Sequence, residues 1–193
     1  MPYTENKKLI LEGCQIMTNR GRGQFRNFAA NATNFAPAGM RRFFNIVIPN
    51  AEEAERLMAD EWPVNSWTPN PTEEEPNPET SYRMEVQIKY RDRMGNLFED
   101  KRKPRVVMRC NGVQTLLDEE TVGMLDGSDI IDADLELAQR HWENSRGETG
   151  VTAYLHTGYF NIELDDPFAE KYADDERTIY GPAADDESDI PFD

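Results

Sequence analysis

The chain has 193 residues, and 37 acidic against 21 basic side chains give it a formal net charge of -16. That length accommodates one domain with appendages rather than two full domains, and the net charge argues against a surface that binds phosphates throughout, because phosphate contacts need Lys and Arg. No apolar run approaches the roughly 18 residues of a membrane span, and Met1 to Lys8 has no signal-peptide core.

Lys8 to Thr18 (KLILEGCQIMT) is apolar and β-capable and reads as a first strand. Asn19 to Gly39, rich in Gly, Ala and Asn, reads as an irregular excursion. Met40 to Ile48 is a second strand, stopped by Pro49. Asn50 with Glu53 three residues later is an Asn-for-Ser capping box, and it opens a helix running to about Trp62. Residues 68–80, with four prolines and four glutamates, form an exposed loop. From Tyr82 to Arg91, Tyr82, Met84, Val86, Ile88 and Tyr90 alternate with polar side chains, which marks a strand with one dry and one wet face. A turn at Met94-Gly95-Asn96 leads to a strand at Arg105 to Cys110, and Asp118 caps a short helix (DEETVGML). Two last strands, near 130–142 and 151–164, flank the loop ENSRGETG. Strands joined by turns, with one or two short helices and no βαβ rhythm, predict a mainly β fold, an OB-like small barrel. Cys14 and Cys110 both fall in strands and read as buried free thiols, which fits a reducing cytoplasm.

The negative charge is concentrated at one end. Residues 163–193 hold 12 acids and 2 bases, leaving a net of only -6 on the other 162 residues. The domain is therefore expected over residues 1–173, and an acidic disordered tail over 174–193. A plain solubilising extension is the simpler account of that tail.

Three segments carry positive charge among rings. In the excursion, Arg20, Arg22, Arg26, Arg41 and Arg42 stand among Phe25, Phe28, Phe35, Phe43 and Phe44, with no acid between Asn19 and Arg42. Basic loops bearing rings suit single strands, with Gly21 and Gly23 allowing close approach of a phosphate chain. The competing account makes the phenylalanines core and the arginines solvated. In the final hairpin a turn centred on Gly147 sets Arg140 opposite Tyr154 and Trp142 opposite Thr152, so that Arg140, Trp142, Tyr154 and His156 share one face. Stacked rings beside a guanidinium fit unpaired bases; a cross-strand Trp–Tyr pair under a loop is the alternative. A third stretch, with Lys89, Arg91, Arg93, Lys101, Arg102, Lys103 and Arg105, is diluted by Asp92, Glu99 and Asp100. Together the three could line one groove.

The chain finishes AADDESDIPFD. Asp185, Asp186, Glu187 and Asp189 followed by Ile190-Pro191-Phe192 resemble the C-terminal tip of bacterial single-stranded-DNA-binding proteins and, more loosely, the acidic tails of bacteriophage replication proteins of that kind. The resemblance implies that these seven residues dock on replication or repair proteins. Asp193 after Phe192 departs from the bacterial pattern, where the chain ends on the phenylalanine. FRNF (25–28), LDEETVGMLD (117–126) and VTAYLHTGYFNIE (151–163) resemble a phage-encoded family of small OB-type single-stranded-DNA-binding proteins, over most of residues 8–172. This implies a role in phage replication, recombination or repair, in the host cytoplasm, without catalysis. Homo-oligomerisation stays open.

Enzyme signatures are sparse. His141 and His156 are the only histidines, no Cys or His pair has zinc-ligand spacing, and no GK[ST] or GxSxG occurs, so neither metal nor cofactor is expected. Asp132, Asp134 and Glu136 could serve a two-metal nuclease, though their alternation is that of an ordinary wet strand face. An acidic DNA mimic that inhibits a DNA-binding enzyme is a further alternative, which fits the net charge better than its concentration in the tail.

Overall fold

The computed structural model describes residues 7–163. Nine strands are present: β1 (Lys8–Cys14), β2 (Arg26–Asn27), β3 (Arg42–Ile48), β4 (Val64–Trp67), β5 (Ser81–Ile88), β6 (Arg105–Cys110), β7 (Val113–Leu117), β8 (Asp129–Glu143) and β9 (Thr149–Glu163). Helix α1 (Ala51–Ala59) follows β3, and a 3-10 helix (Val122–Gly127) precedes β8. No helix of the described residues is long and apolar enough to cross a membrane.

The sheet runs β1-β8-β9-β5-β3, and the chain just past β1 returns to β3. Met17 N–H donates to Asn45 O at 2.9 Å, and Val47 N–H donates to Gln15 O at 3.0 Å. The ring thereby closes. Its five strands (β1, β3, β5, β8, β9) pair antiparallel except β5 with β9, which run parallel at Val86↔Ala153 and Gln87↔Tyr154. This is the Greek-key ring of an OB barrel, and closure removes the sheet edges that would otherwise invite aggregation. β9 is long enough to serve two neighbours: beyond Leu155 it pairs parallel with β6, which carries β7 outside the ring.

The inward residues are those the alternation predicts: Met84, Val86 and Ile88 from β5, Phe44, Ile46 and Ile48 from β3, Ala133, Leu135 and Leu137 from β8. Phe28 and Phe44 stack at 5.4 Å between ring centres, and Phe160 meets both edge-on at 5.5 Å. Such pairings add about 0.5–1.5 kcal/mol each beyond area burial. Asn50 caps α1 as its spacing predicts, accepting from Glu53 N–H at 2.8 Å, while Ala54 and Leu57 enter the core. The acceptor side chain of Asp118 instead organises a turn, taking Glu120 and Thr121 N–H, and the 3-10 helix begins four residues later with Val122 and Leu125 buried. The two cysteines are unbonded and half-buried. Burial beside Asp134 and Asp132 pushes the Cys14 thiol up to about 11, which keeps it protonated and inert.

The hairpin register differs from the expectation by two residues: Arg140 faces Thr152, Trp142 faces Gly150, and Tyr154 faces Ala138. Asn144 is the cause. Its side-chain oxygen accepts Arg146 N–H (2.9 Å) and Glu148 N–H (3.0 Å), closing the loop at Glu143↔Thr149 and leaving Gly147 at φ 77° off centre. The acidic tail, including Asp185, Asp186, Glu187, Asp189, Ile190, Pro191 and Phe192, lies outside the described residues.

Candidate nucleic-acid interface

The outward face of β5 presents Arg83, Glu85 and Gln87, and Lys89 follows immediately past its end. Register carries this face across the barrel: Ala138 faces Tyr154, Tyr154 sits beside Gln87, and Gln87 faces Phe43. At the Lys89 end a cleft of about 230 Å³ is lined by Lys89, Phe98, Arg102, Arg140, Tyr154 and His156, among others, and no acid lines it.

Local chemistry assembles this cleft from distant segments. The Asp92 carboxylate accepts Met94 N–H (2.8 Å) and Asn96 N–H (2.9 Å), and Phe98 N–H donates to Tyr90 O (2.8 Å). The chain thus folds back on itself at once and brings Phe98 beside Lys89. The same donors, Asn96 first, hold the Asp92 carboxyl below its ordinary range. The Arg102 guanidinium lies 4.8 Å over the Phe98 ring, a cation–π arrangement. Burial, then the nearby charges of Arg140 and Arg93, push the Lys89 ammonium below its ordinary value. Like charges converge here with little compensation.

Beyond the cleft, β8 and β9 continue as an arm. Every residue from Arg140 to Thr149 is exposed. Trp142, 42 % exposed, lies across Gly150. At the far end of β5 the Arg83 guanidinium lies 5.0 Å over the Phe25 ring, and Arg20 and Arg22 stand exposed on the tight turn next to it. From Arg83 to Lys89, just past the end of the strand, the extended chain spans about 20 Å. Glu85 interrupts this strip, but Arg41 pairs with it while covering the Phe43 ring at 4.6 Å.

Of the sequence-predicted residues, Lys89, Arg140, Tyr154 and His156 meet in the cleft, with Trp142 on the adjoining arm. Arg20, Arg22 and Phe25 lie at the other end of β5. Three assignments, Phe28, Arg26 and Arg42, are corrected by burial, and Arg91 and Arg41 are engaged by carboxylates. Phe28 is fully buried in the ring cluster and has no surface for a base. Arg26 is buried, donating to the carbonyls of Asp126 (3.0 Å) and Ser128 (3.1 Å), and so ties the excursion to the 3-10 helix. Arg42 is largely buried beside Glu119, and Arg91 donates to both oxygens of that same carboxylate at 2.9 and 3.0 Å. Arg41 is half-committed, through Glu85. Sequence reasoning missed Arg83 and Phe98 as site residues, and placed Arg102 only in the acid-diluted third stretch. Phe98 sits among Glu99 and Asp100, whose charge hides the cluster until the turn folds.

At the opposite margin His156 Nδ1 lies 3.3 Å from Glu136, which also takes Lys8 at 3.0 Å. Those donors, Lys8 first, hold the Glu136 carboxyl below its ordinary range. Asp134 accepts Gly13 N–H at 2.9 Å, and Asp132 accepts Asn161. The three acids of this strand face are thus engaged by separate donors.

Residues 3–187 match the family described as "Putative phage ssDNA-binding domain". The chain belongs to that family. Its fold is also similar, with a TM-score of 0.41 and 10 % identity, to the crystal structure of gp2.5, a single-stranded DNA binding protein encoded by bacteriophage T7, over 97 % of this chain and 100 % of that one. The family assignment rests on the family match alone. No curated protein sequence matches the chain. A phage ssDNA-binding domain of mainly β structure agrees with the resemblance carried by FRNF, LDEETVGMLD and VTAYLHTGYFNIE.

Proposed function

We propose that this phage ssDNA-binding domain holds single strands without base-sequence preference along the outward face of β5 and β9. One observation carries the reading. Lys89, Arg102 and Arg140 gather around Phe98 and Tyr154 in an acid-free cleft, on a chain whose net charge is -16. Cations crowded against one another are costly unless an anion joins them, and rings among them give bases a stacking surface irrespective of sequence. The phosphate chain passes from the cleft along Lys89 and Arg83 toward Arg20 and Arg22, with Trp142 on the arm as an outer platform. The acids at Asp132, Asp134 and Glu136 bound the path on the other side.

The protein acts in this reading without catalysis or cofactor, in phage DNA replication, recombination or repair within the host cytoplasm. The segment Asp185-Asp186-Glu187 with Asp189-Ile190-Pro191-Phe192 recruits replication or repair proteins. A short acidic stretch with one aromatic anchor supports weak, exchangeable binding of that kind. Titration with oligo-dT at two salt concentrations tests the DNA surface. The reading expects quenching of Trp fluorescence and an affinity that falls with salt, and both effects weaken in Lys89→Ala/Arg140→Ala. Undiminished affinity in that double variant overturns the assigned face.

A further inference from the structure

The ring has no open edge, but the extension beyond it does. β7 bonds to β6 on one side and has no strand on the other among the described residues. Proteins protect such edges with prolines, charges or very short strands. β2 is two residues long, and β4 lies between Pro63 and Pro69. β7 has neither protection. Cys110 to Leu117 is eight residues without a charge, in a chain of which 30 % is charged. Val113 and Leu116, on opposite faces of the strand, are 64 % and 65 % exposed.

The hairpin turn fixes which groups are free. Cys110 faces Val113 across Asn111-Gly112, a two-residue turn with both central residues at positive φ. Bonded and non-bonded pairs then alternate, so the N–H groups of Gln114 and Leu116 point away from β6. Those groups form a ready ladder for one more strand.

We propose that the added strand is β7 of a second copy of this chain, paired antiparallel about a two-fold axis near Thr115. The charges at the two ends of the strand favour this occupant. Arg109 is exposed at the turn end, and Asp118 and Glu120 are exposed just past the other end. Antiparallel self-pairing sets each copy's basic end against its partner's acidic end, whereas a purely cationic or anionic partner meets only half a match. Two bodies of net charge -16 repel over most of their surfaces. The uncharged β7 edge lets them meet without that penalty, and a two-fold interface needs one such patch per copy.

Sedimentation of the full chain without DNA tests this. The expected result is a species of twice 22.2 kDa, reduced to the single-chain mass in Gln114→Lys/Leu116→Lys, where four lysines face one another. The two-fold register opposes residue 114 of one copy to residue 116 of the other, so Gln114→Lys/Leu116→Glu restores the pair. Both side chains are exposed on the strand, and an unchanged circular dichroism spectrum checks that the variants fold. A single-chain mass for the unaltered protein at high micromolar concentration overturns the proposal. So does a pair that survives the double lysine variant, that the Lys/Glu variant fails to restore, or that is lost only when residues 164–193 are removed.

Discussion

The indole of Trp142 lies across its cross-strand neighbour Gly150, in the volume a β-carbon would fill: that carbon would come within 2.7 Å of Cε2, and nearer still to Cζ2. The absent side chain is what lets the ring lie flat on the arm with one surface to solvent. Gly150→Ala therefore lifts the ring without removing it. Trp142→Ala is expected to weaken oligo-dT binding by about 1–3 kcal/mol, the worth of one stacked base. Gly150→Ala should produce part of that loss with little change in stability. Anisotropy of a labelled oligonucleotide reads both, and wild-type affinity in both variants removes the arm from the interface.

Free and engaged arginines should separate in their salt dependence. For single strands each phosphate neutralised contributes about 0.7 to the slope of log affinity against log salt. Arg102→Ala and Arg140→Ala should each lower that slope by about this amount. Arg91→Ala should leave it unchanged, because the Arg91 guanidinium already answers Glu119. Equal slopes for all three would mean that the cleft is no more a phosphate site than the Glu119 pair.

Phe28 and Asp126 hold the excursion, and their effects should appear in stability. The Asp126 carboxylate accepts Phe28 N–H and Ala29 N–H, both at 2.8 Å, while Arg26 donates to the Asp126 carbonyl. Phe28→Ala is expected to cost about 3–5 kcal/mol as a core truncation. Asp126→Ala should cost about 1–3 kcal/mol, chiefly for the N–H of buried Phe28 that it orphans, since Ala29 is exposed. Denaturant midpoints measure both; a Phe28→Ala protein of full stability but weakened DNA binding would return the ring to the interface.

Much of the barrel was legible in sequence because burial imposes a period on it. The alternation from Tyr82 to Tyr90 gives β5, and the Asn50–Glu53 spacing gives α1 to the residue at its cap. β7 was missed although Asn111-Gly112 is a strong hairpin signal, because VQTLL is exposed on both faces and so lacks alternation. β4 is hidden between two prolines. The site was less legible. Five arginines with no acid nearby in sequence looked like a phosphate grip, yet Arg26 is buried and donates through Nη2 to carbonyls a hundred residues away, and Arg42 pairs with a glutamate 77 residues away. Local charge counts cannot register such partners. They fail in the other direction at Arg102, whose acidic neighbours in sequence turn away from the cleft.

Charge removal from the chain's end should favour DNA. Residues 174–193 hold eight acids and one arginine. Their deletion lowers the net negative charge by 7 (8 − 1) and lessens repulsion of a polyanion. The truncated protein should keep its thermal midpoint and bind oligo-dT more tightly, most visibly at low salt where screening is weakest. Weaker binding on truncation would assign those residues a direct part in holding the strand.

Lys89 sets stability against binding. Its value is lowered, first by burial and then by Arg140 and Arg93, so the folded state holds this proton less firmly than the unfolded chain does. Below the folded-state value the ammonium is charged in both states, and its crowding destabilises the fold. As pH rises through that value toward the ordinary lysine range, the folded protein deprotonates first and the destabilisation fades. Bound phosphates act oppositely, because they stabilise the ammonium. Affinity should therefore fall with rising pH sooner than for an ordinary surface lysine, and Lys89→Arg should flatten the fall. Lys89→Gln should raise the thermal midpoint at neutral pH while weakening ssDNA binding. A merely structural lysine would lower both or neither, so the two readouts moving in opposite directions identify a cation held in place for an anion.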